Sequence, residues 1–199
     1  MNNGFDSSQQ NIHTKIIVGI ERLATLFRFG LQDQAKKNHL TPLQVQIILF
    51  IGFHPRPSSP SAIAEEFALT RATVSDAIKT LISKGLAEKI QDSLDARKFS
   101  VCLTAEGKQQ LQSFHPLTQR FDLALDKLSE ADCLIIWQGI LTLFKVLNPS
   151  DIPVRMCYSC QYYQPSGEDK ESFCTLMQVP LPPQALRLDC PEHLAKDKH

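Results

Sequence analysis

The chain carries no excess of charge: Lys and Arg together number 21, and so do Asp and Glu. No global positive field draws it to nucleic acid, so any such attraction must be local. Long apolar runs are missing too. The longest, Ile47 to Phe53, is too short to span a bilayer. The opening residues Met1-Asn2-Asn3-Gly4-Phe5-Asp6 have neither the basic start nor the apolar centre of a secretory signal, and residues 1–10 read as a disordered tail. No membrane association and a cytoplasmic address are expected, where disulfides are rare. None of the 8 glycines belongs to a phosphate-cradling loop. His13, His39, His54, His115, His193 and His199 lie scattered, without partners at catalytic spacing. The chain is not expected to be an enzyme.

What is present is concentrated. Four of the 6 cysteines, Cys157, Cys160, Cys174 and Cys190, fall in the last quarter as C-x2-C-x13-C-x15-C. Two thiolates at C-x2-C hold one ion from a tight turn, and two distant ones complete a tetrahedron. Zinc and iron–sulfur clusters both accept four thiolates. Zinc is preferred, because a closed four-thiolate site is its common structural use. The Cys190-Pro191 pair, a frequent ending of cluster motifs, keeps the cluster open, and His193 could replace a thiolate. Arg155 and Arg187 are the nearest cations to offset the thiolate charge. A thiol–disulfide oxidoreductase using Cys157 and Cys160 is the enzymatic alternative. It would need a strand before the pair and a helix after it, whereas Tyr162, Tyr163, Pro165, Ser166 and Gly167 follow. Cys102 and Cys133 read as ordinary apolar fillers.

The preceding residues are patterned for helices. Ile16, Ile20, Leu23, Phe27 and Leu31 recur at helical spacing within residues 11–37. Thr41-Pro42-Leu43-Gln44 forms a capping box with proline at the first helical position, and the helix it starts turns Leu43, Ile47, Ile48, Phe50 and Ile51 inward. His54-Pro55-Arg56-Pro57 stops that helix, and a third starts at Ser59-Pro60 or Ser61 and ends near Ala68. A fourth runs from Thr70 to Lys84, with Val74, Ala77, Ile78, Leu81 and Ile82 on one stripe, and ends at Gly85. Residues 86–90 and 98–103 then pair across the polar tip 92–97. Two short helices followed by a hairpin read as a helix-turn-helix with a wing. Arg71, Thr73 and Ser75 sit where a recognition helix meets base edges: arginine can grip guanine with two bonds, threonine can offer its methyl to thymine, and serine is permissive. Lys79 lies further back, towards phosphate. Arg97 can enter a narrow minor groove, with Asp95 orienting it. Ser61, Thr70 and Lys98 complete the candidate DNA-contacting set. Residues 55–108 hold eight Lys or Arg against seven Asp or Glu, a small excess of the right sign.

With Leu69-Thr70-Arg71-Ala72-Thr73-Val74-Ser75, Gly85-Leu86, Asp92-Ser93-Leu94-Asp95-Ala96-Arg97-Lys98 and Leu103-Thr104-Ala105-Glu106-Gly107, the chain resembles the MarR family of winged-helix regulators over about residues 11–148. The resemblance implies a homodimer on a pseudo-palindromic double-stranded operator, acting as a repressor. It also implies release by a small-molecule inducer or by cysteine oxidation. The family's Asp-x-Arg wing pair corresponds to Asp95 and Arg97. The cysteine segment lies outside the family's common pattern.

Ser129-Glu130-Ala131-Asp132 caps a last helix whose Cys133, Trp137, Ile140, Leu141, Phe144 and Leu147 make a stripe too large for one small core, which calls for a second chain. His115-Pro116 interrupts the helical stretch before it. The expected architecture is mainly α with a small β-hairpin wing. A winged helix-turn-helix (core about 42–108, within 11–149) sits between long dimerisation helices (11–37 and 105–148). A cysteine-rich metal-binding segment (150–199) follows a boundary at Pro149–Pro153. The expected function is a sequence-specific transcription regulator that responds to a ligand, metal or redox signal. The other non-enzymatic reading is an architectural DNA-binding protein without an inducer, which would bind without sequence preference.

Overall fold

A computed structural model describes residues 11–54, 57–92, 95, 97–147, 153–165, 167 and 171–196. Expectations for the tail 1–10, for the helix stop at Pro55-Arg56, for wing-tip residues 93, 94 and 96, and for the boundary at 148–152 lie outside these residues.

Helix α1 (Ile12–Lys37) is capped by the Asn11 side chain, which accepts from His13 N–H. Of its predicted stripe only Leu31 is buried; Ile16, Ile20, Leu23 and Phe27 are exposed. Helix α2 (Pro42–Phe53) has the full capping box, Thr41 accepting from Gln44 N–H and the Gln44 side chain accepting from Thr41 N–H. Its core face includes Val45 beside Ile47, Ile48 and Ile51, while Leu43 and Phe50 are only partly buried. Helix α3 (Pro60–Glu66) starts from Ser59, whose hydroxyl accepts from Ala62 N–H. Helix α4 (Arg71–Ser83) starts from Thr70. Strands β1 (Ala87–Gln91) and β2 (Phe99–Leu103) pair antiparallel, Ala87 opposite Leu103, and Ser58 bridges the far edge of β2 at Val101. Val74, Ala77, Ile78 and Leu81 of α4 join Ile63, Val45, Ile48 and Val101 in one core.

Helix α5 (Ala105–Gln112) and helix α6 (His115–Leu125) are separated at Ser113-Phe114, the break that His115-Pro116 predicts. Helix α7 (Glu130–Leu147) starts at Ser129, whose hydroxyl accepts from Asp132 N–H. Its stripe is shared in a way periodicity does not reveal. Trp137, Leu141 and Phe144 pack against Met156, Cys157, Leu181 and Leu186 of the same chain, so part of the face assigned to a second protomer is covered by the cysteine segment. Trp137 Nε1–H donates to the Pro183 carbonyl at 3.1 Å. Ile136, Ile140, Leu143 and Leu147 stay exposed.

The cysteine segment folds around a small antiparallel sheet, β3 (Tyr163–Gln164), β4 (Phe173–Cys174) and β5 (Val179–Pro180), with β4 in the middle. No helix among the described residues is long and apolar enough to cross a membrane.

Candidate nucleic-acid interface and cysteine site

The turn between α3 and α4 is tight. Leu69 N–H returns to the Ala64 carbonyl at 2.9 Å, and Ala68 takes φ +50°, a conformation uncommon for a residue with a side chain. Thr70 then caps α4 by accepting from Thr73 N–H at 3.2 Å, and its hydroxyl also meets the Thr73 hydroxyl at 2.9 Å. Both hydroxyls are thus engaged within the helix end. Thr70 is a cap, and Thr73 is left with its methyl to offer. Arg71 is exposed and makes no hydrogen bond or ion pair with a described residue. Ser75 is half-buried, as is Ser61 in the first turn of α3. Lys79 reaches Asp76 at 3.0 Å, both well exposed; such a pair contributes about 0–1 kcal/mol and yields readily to a phosphate.

The end of α4 fixes the wing. Gly85 takes φ +73° with open space around it, reversing the chain into β1. Asp92 N–H bonds to the Lys98 carbonyl and Lys98 N–H to the Asp95 carbonyl, which narrows the hairpin base. Asp95 Oδ1 accepts from Arg97 N–H at 3.0 Å and from Arg97 Nε–H at 3.2 Å. With the Asp95 side chain 27% exposed and that of Arg97 92% exposed, the carboxylate acts as an anchor that aims a cation into solvent. Lys98 sits 4.0 Å from the same carboxylate.

Residues 40–98 match the family model described as MarR family. This segment is a MarR-family domain. The matched region is shorter than the 11–148 expected from sequence motifs and ends well before the cysteine segment. No curated protein matches the chain by sequence. Among solved structures, FabT of Streptococcus pneumoniae in complex with DNA is similar, with TM-score 0.58 and 17% identity over 69% of this chain and 98% of that one. A MepR–DNA complex from S. aureus gives TM-score 0.55 and 18% identity over 72% and 99%. BldR, a transcriptional regulator of Sulfolobus solfataricus, gives 0.51 and 20% over 68% and 99%. The MarR-family domain thus has the mainly helical winged fold of these regulators.

The four clustered cysteines line one cavity of about 130 Å³, together with Tyr162, Leu176, Met177, Val179 and Leu181. Cys157 and Cys160 flank a one-turn 3-10 helix, with Cys160 N–H donating to the Cys157 carbonyl. Cys174 lies on β4 opposite Tyr163, and Cys190 starts a turn closed by His193 N–H. Cys157 and Cys160 are buried; Cys174 and Cys190 are half-buried. Arg187 N–H donates to Cys157 Sγ at 3.2 Å. Among the described residues no three His, Cys, Asp or Glu side chains are arranged to hold a single metal ion. Burial pushes the Cys157 thiol up; the Arg187 N–H opposes this, and the Cys190, Cys160 and Cys174 thiols add to the rise. A thiol–disulfide enzyme needs the reverse shift, and a two-residue strand, not a helix, follows the pair.

Three sequence expectations change here. The Arg155 side chain does not face the thiols: its guanidinium holds Glu66 at 2.9 Å and Asp189 at 2.6 Å. Nothing in local sequence could signal the bond to Glu66, 89 residues away. His193 Nε2 meets the Ser159 hydroxyl at 2.9 Å, and burial lowers its pKa. Cys102 and Cys133 are half-buried rather than core, and Cys102 bonds to Glu88.

Proposed function

We propose that the chain is a homodimeric, sequence-specific DNA-binding transcription regulator whose cysteine segment carries the signal it answers. The observation that carries this reading is the exposed Arg71 at the start of α4, paired with the outward arginine of an anchored wing. In a helix-turn-helix the first turns of the second helix meet base edges. Arg71 reads guanine and the Thr73 methyl reads thymine, with Ser75 beside them. Lys79 and Lys98 take phosphates, and Ser61 sits where the first helix crosses the backbone. Arg97 enters the minor groove, where a narrow A·T-rich stretch concentrates negative potential. FabT and MepR, similar in fold, were each solved with DNA, which supports the same use here.

Dimerisation is supported by the apolar side chains left open on α1, α6 and α7. Ile16, Ile20 and Leu23, Leu123 and Leu125, and Ile136, Ile140 and Leu143 are all exposed. Faces of this kind mark an interface, and a two-fold dimer reads a palindrome as two half-sites. Occupying an operator blocks transcription without further parts, so repression is the sign we assign.

The test is a fluorescence-anisotropy titration of the full chain against a duplex selected from random sequences and against an unselected one. A regulator prefers the selected duplex by about 10³-fold or more. Equal affinity for both would leave an architectural DNA-binding protein instead.

A further inference from the structure

We propose that Cys157, Cys160, Cys174 and Cys190 ligate an iron–sulfur cluster rather than a single zinc ion, and that Arg155 relays its presence to the helix-turn-helix. The cluster half of this proposal stands alone, and the relay half rests on the DNA-binding reading above.

Spacing separates the two groups. Zinc sits about 2.3 Å from each sulfur, so four thiolates around it must gather within about 3.8 Å of one another. The four thiols here ring a cavity of about 130 Å³ instead, and no three of them are set to hold one ion. A cluster brings its own volume and takes thiolates at its periphery. The walls are mostly apolar, with Leu176, Met177, Val179, Leu181 and Tyr162 beside Arg187 and Glu192; Leu181 is buried while Leu176, Met177 and Val179 reach solvent, so a cluster here lies close to the surface. One hydrogen bond to sulfur is already formed, from Arg187 N–H to Cys157 Sγ. The ligands also come from three separate turns, each closed by its own backbone bonds.

The fourth ligand is wired to the DNA-reading unit. Cys190 N–H donates to the Arg155 carbonyl at 2.9 Å, and its neighbour Asp189 accepts from Arg155 Nε–H. The same guanidinium bonds Glu66, the last residue of α3, four positions before the cap of α4. The side chains of Arg155 and Glu66 are only 23% and 18% exposed, so this is not a solvated pair of negligible weight. A cluster on Cys190 holds Asp189 and Arg155 in register. Losing the cluster removes the link between Cys190 and the other three thiols, and with it a restraint on Asp189, one of the two carboxylates that Arg155 holds.

The experiment uses the full chain, purified without oxygen and reconstituted with ferrous iron, sulfide and a thiol reductant. Iron and acid-labile sulfide in equal amounts, with broad visible absorption, are expected, and both should be lost in Cys174→Ser but kept in Cys102→Ser. Zinc without colour, or a chain that takes up neither metal, would overturn the cluster; this readout uses wild-type protein and no DNA, so it does not depend on the variants folding. For the relay, the affinity of loaded and apo protein for a selected duplex should differ by about 5–150-fold, the usual size of a coupling between sites. Arg155→Gln should keep iron and sulfide yet lose that difference. A full response in Arg155→Gln would overturn the relay, and so would equal affinities of the loaded and apo wild type. If the loaded and apo forms both failed to bind any duplex, the regulator reading would fall with the relay while the iron analysis still judged the cluster.

Discussion

Gly107 is where the wing and the helix behind it come closest, and Gly107→Ala tests that contact. A Cβ built there would lie 1.9 Å from the Leu86 carbonyl oxygen and 2.9 Å from its carbon, both backbone atoms. Ordinary contact begins near 3.4 Å, so α5 and residue 86 must part by more than an ångström. The Leu86 carbonyl accepts from Thr104 N–H, and the Thr104 hydroxyl both donates to the Gly85 carbonyl and accepts from Gly107 N–H. Separation therefore strains three hydrogen bonds, each contributing about 0.5–1.5 kcal/mol, on top of about 1–3 kcal/mol for overpacking. Alanine returns about 1 kcal/mol of helix propensity. The net expectation is a loss of about 2–4 kcal/mol, or about 1–2 M in the urea midpoint for a slope near 2 kcal/mol/M. Gly52→Ala is the comparison: the three atoms nearest its Cβ would all belong to the Leu111 side chain, which can rotate away. Because Gly85 and Leu86 join α4 to the wing, Gly107→Ala should also weaken DNA binding under conditions where the protein stays folded. An unchanged midpoint, or a larger loss at Gly52, would refute the reasoning.

The other expectations concern the interface. Arg71→Ala should cost about 1–3 kcal/mol on the selected duplex and far less on random DNA, while Lys79→Ala should weaken both alike and reduce the salt slope by about one; titrations at several salt concentrations separate the two. Arg97→Ala should lower affinity chiefly for sites with A·T-rich flanks, and Asp95→Asn should do part of the same by releasing the arginine. Equal losses on G·C-rich flanks would make Arg97 a plain phosphate contact. Ile20 and Ile136 are 50% and 45% exposed, so docking each contributes about half of the roughly 1.5–3 kcal/mol that full burial supplies, counted twice in a two-fold dimer. Ile20→Asp or Ile136→Asp should then shift sedimentation towards monomer at micromolar concentration.

The elements up to Leu103 were legible because local rules govern them. The Thr41 box, the Thr70 cap, Gly85 and the Asp95–Arg97 pair all act within a few residues, and each stands where the sequence places it. The break at Ser113-Phe114 follows from the proline in the same way. What could not be read is tertiary. Periodicity marks a helix face as apolar but not what covers it, so Trp137, Leu141 and Phe144 were assigned to a second chain although the cysteine segment covers them. The stripe of α1 was found, but not that only its last turns enter the core, which is why deleting residues 11–37 would damage the fold as well as any dimer. Sequence proximity makes Arg155 a counter-charge for the thiolates, whereas its guanidinium holds Asp189 and, at the end of α3, Glu66. That the four clustered cysteines belong together was legible from their spacing, and they line one cavity; its other walls, drawn from residues 162 to 192, were not.

The central claim is that two copies of α4 and the wing read a symmetric DNA site, and selection from a random duplex library with the full-length protein tests it most directly. The account predicts an enriched pseudo-palindrome whose half-sites lie about one helical turn, roughly 10 base pairs, apart, with guanine preference at one position relaxed in Arg71→Ala. Bound duplexes with no common sequence, or a motif unchanged by Arg71→Ala, would contradict it.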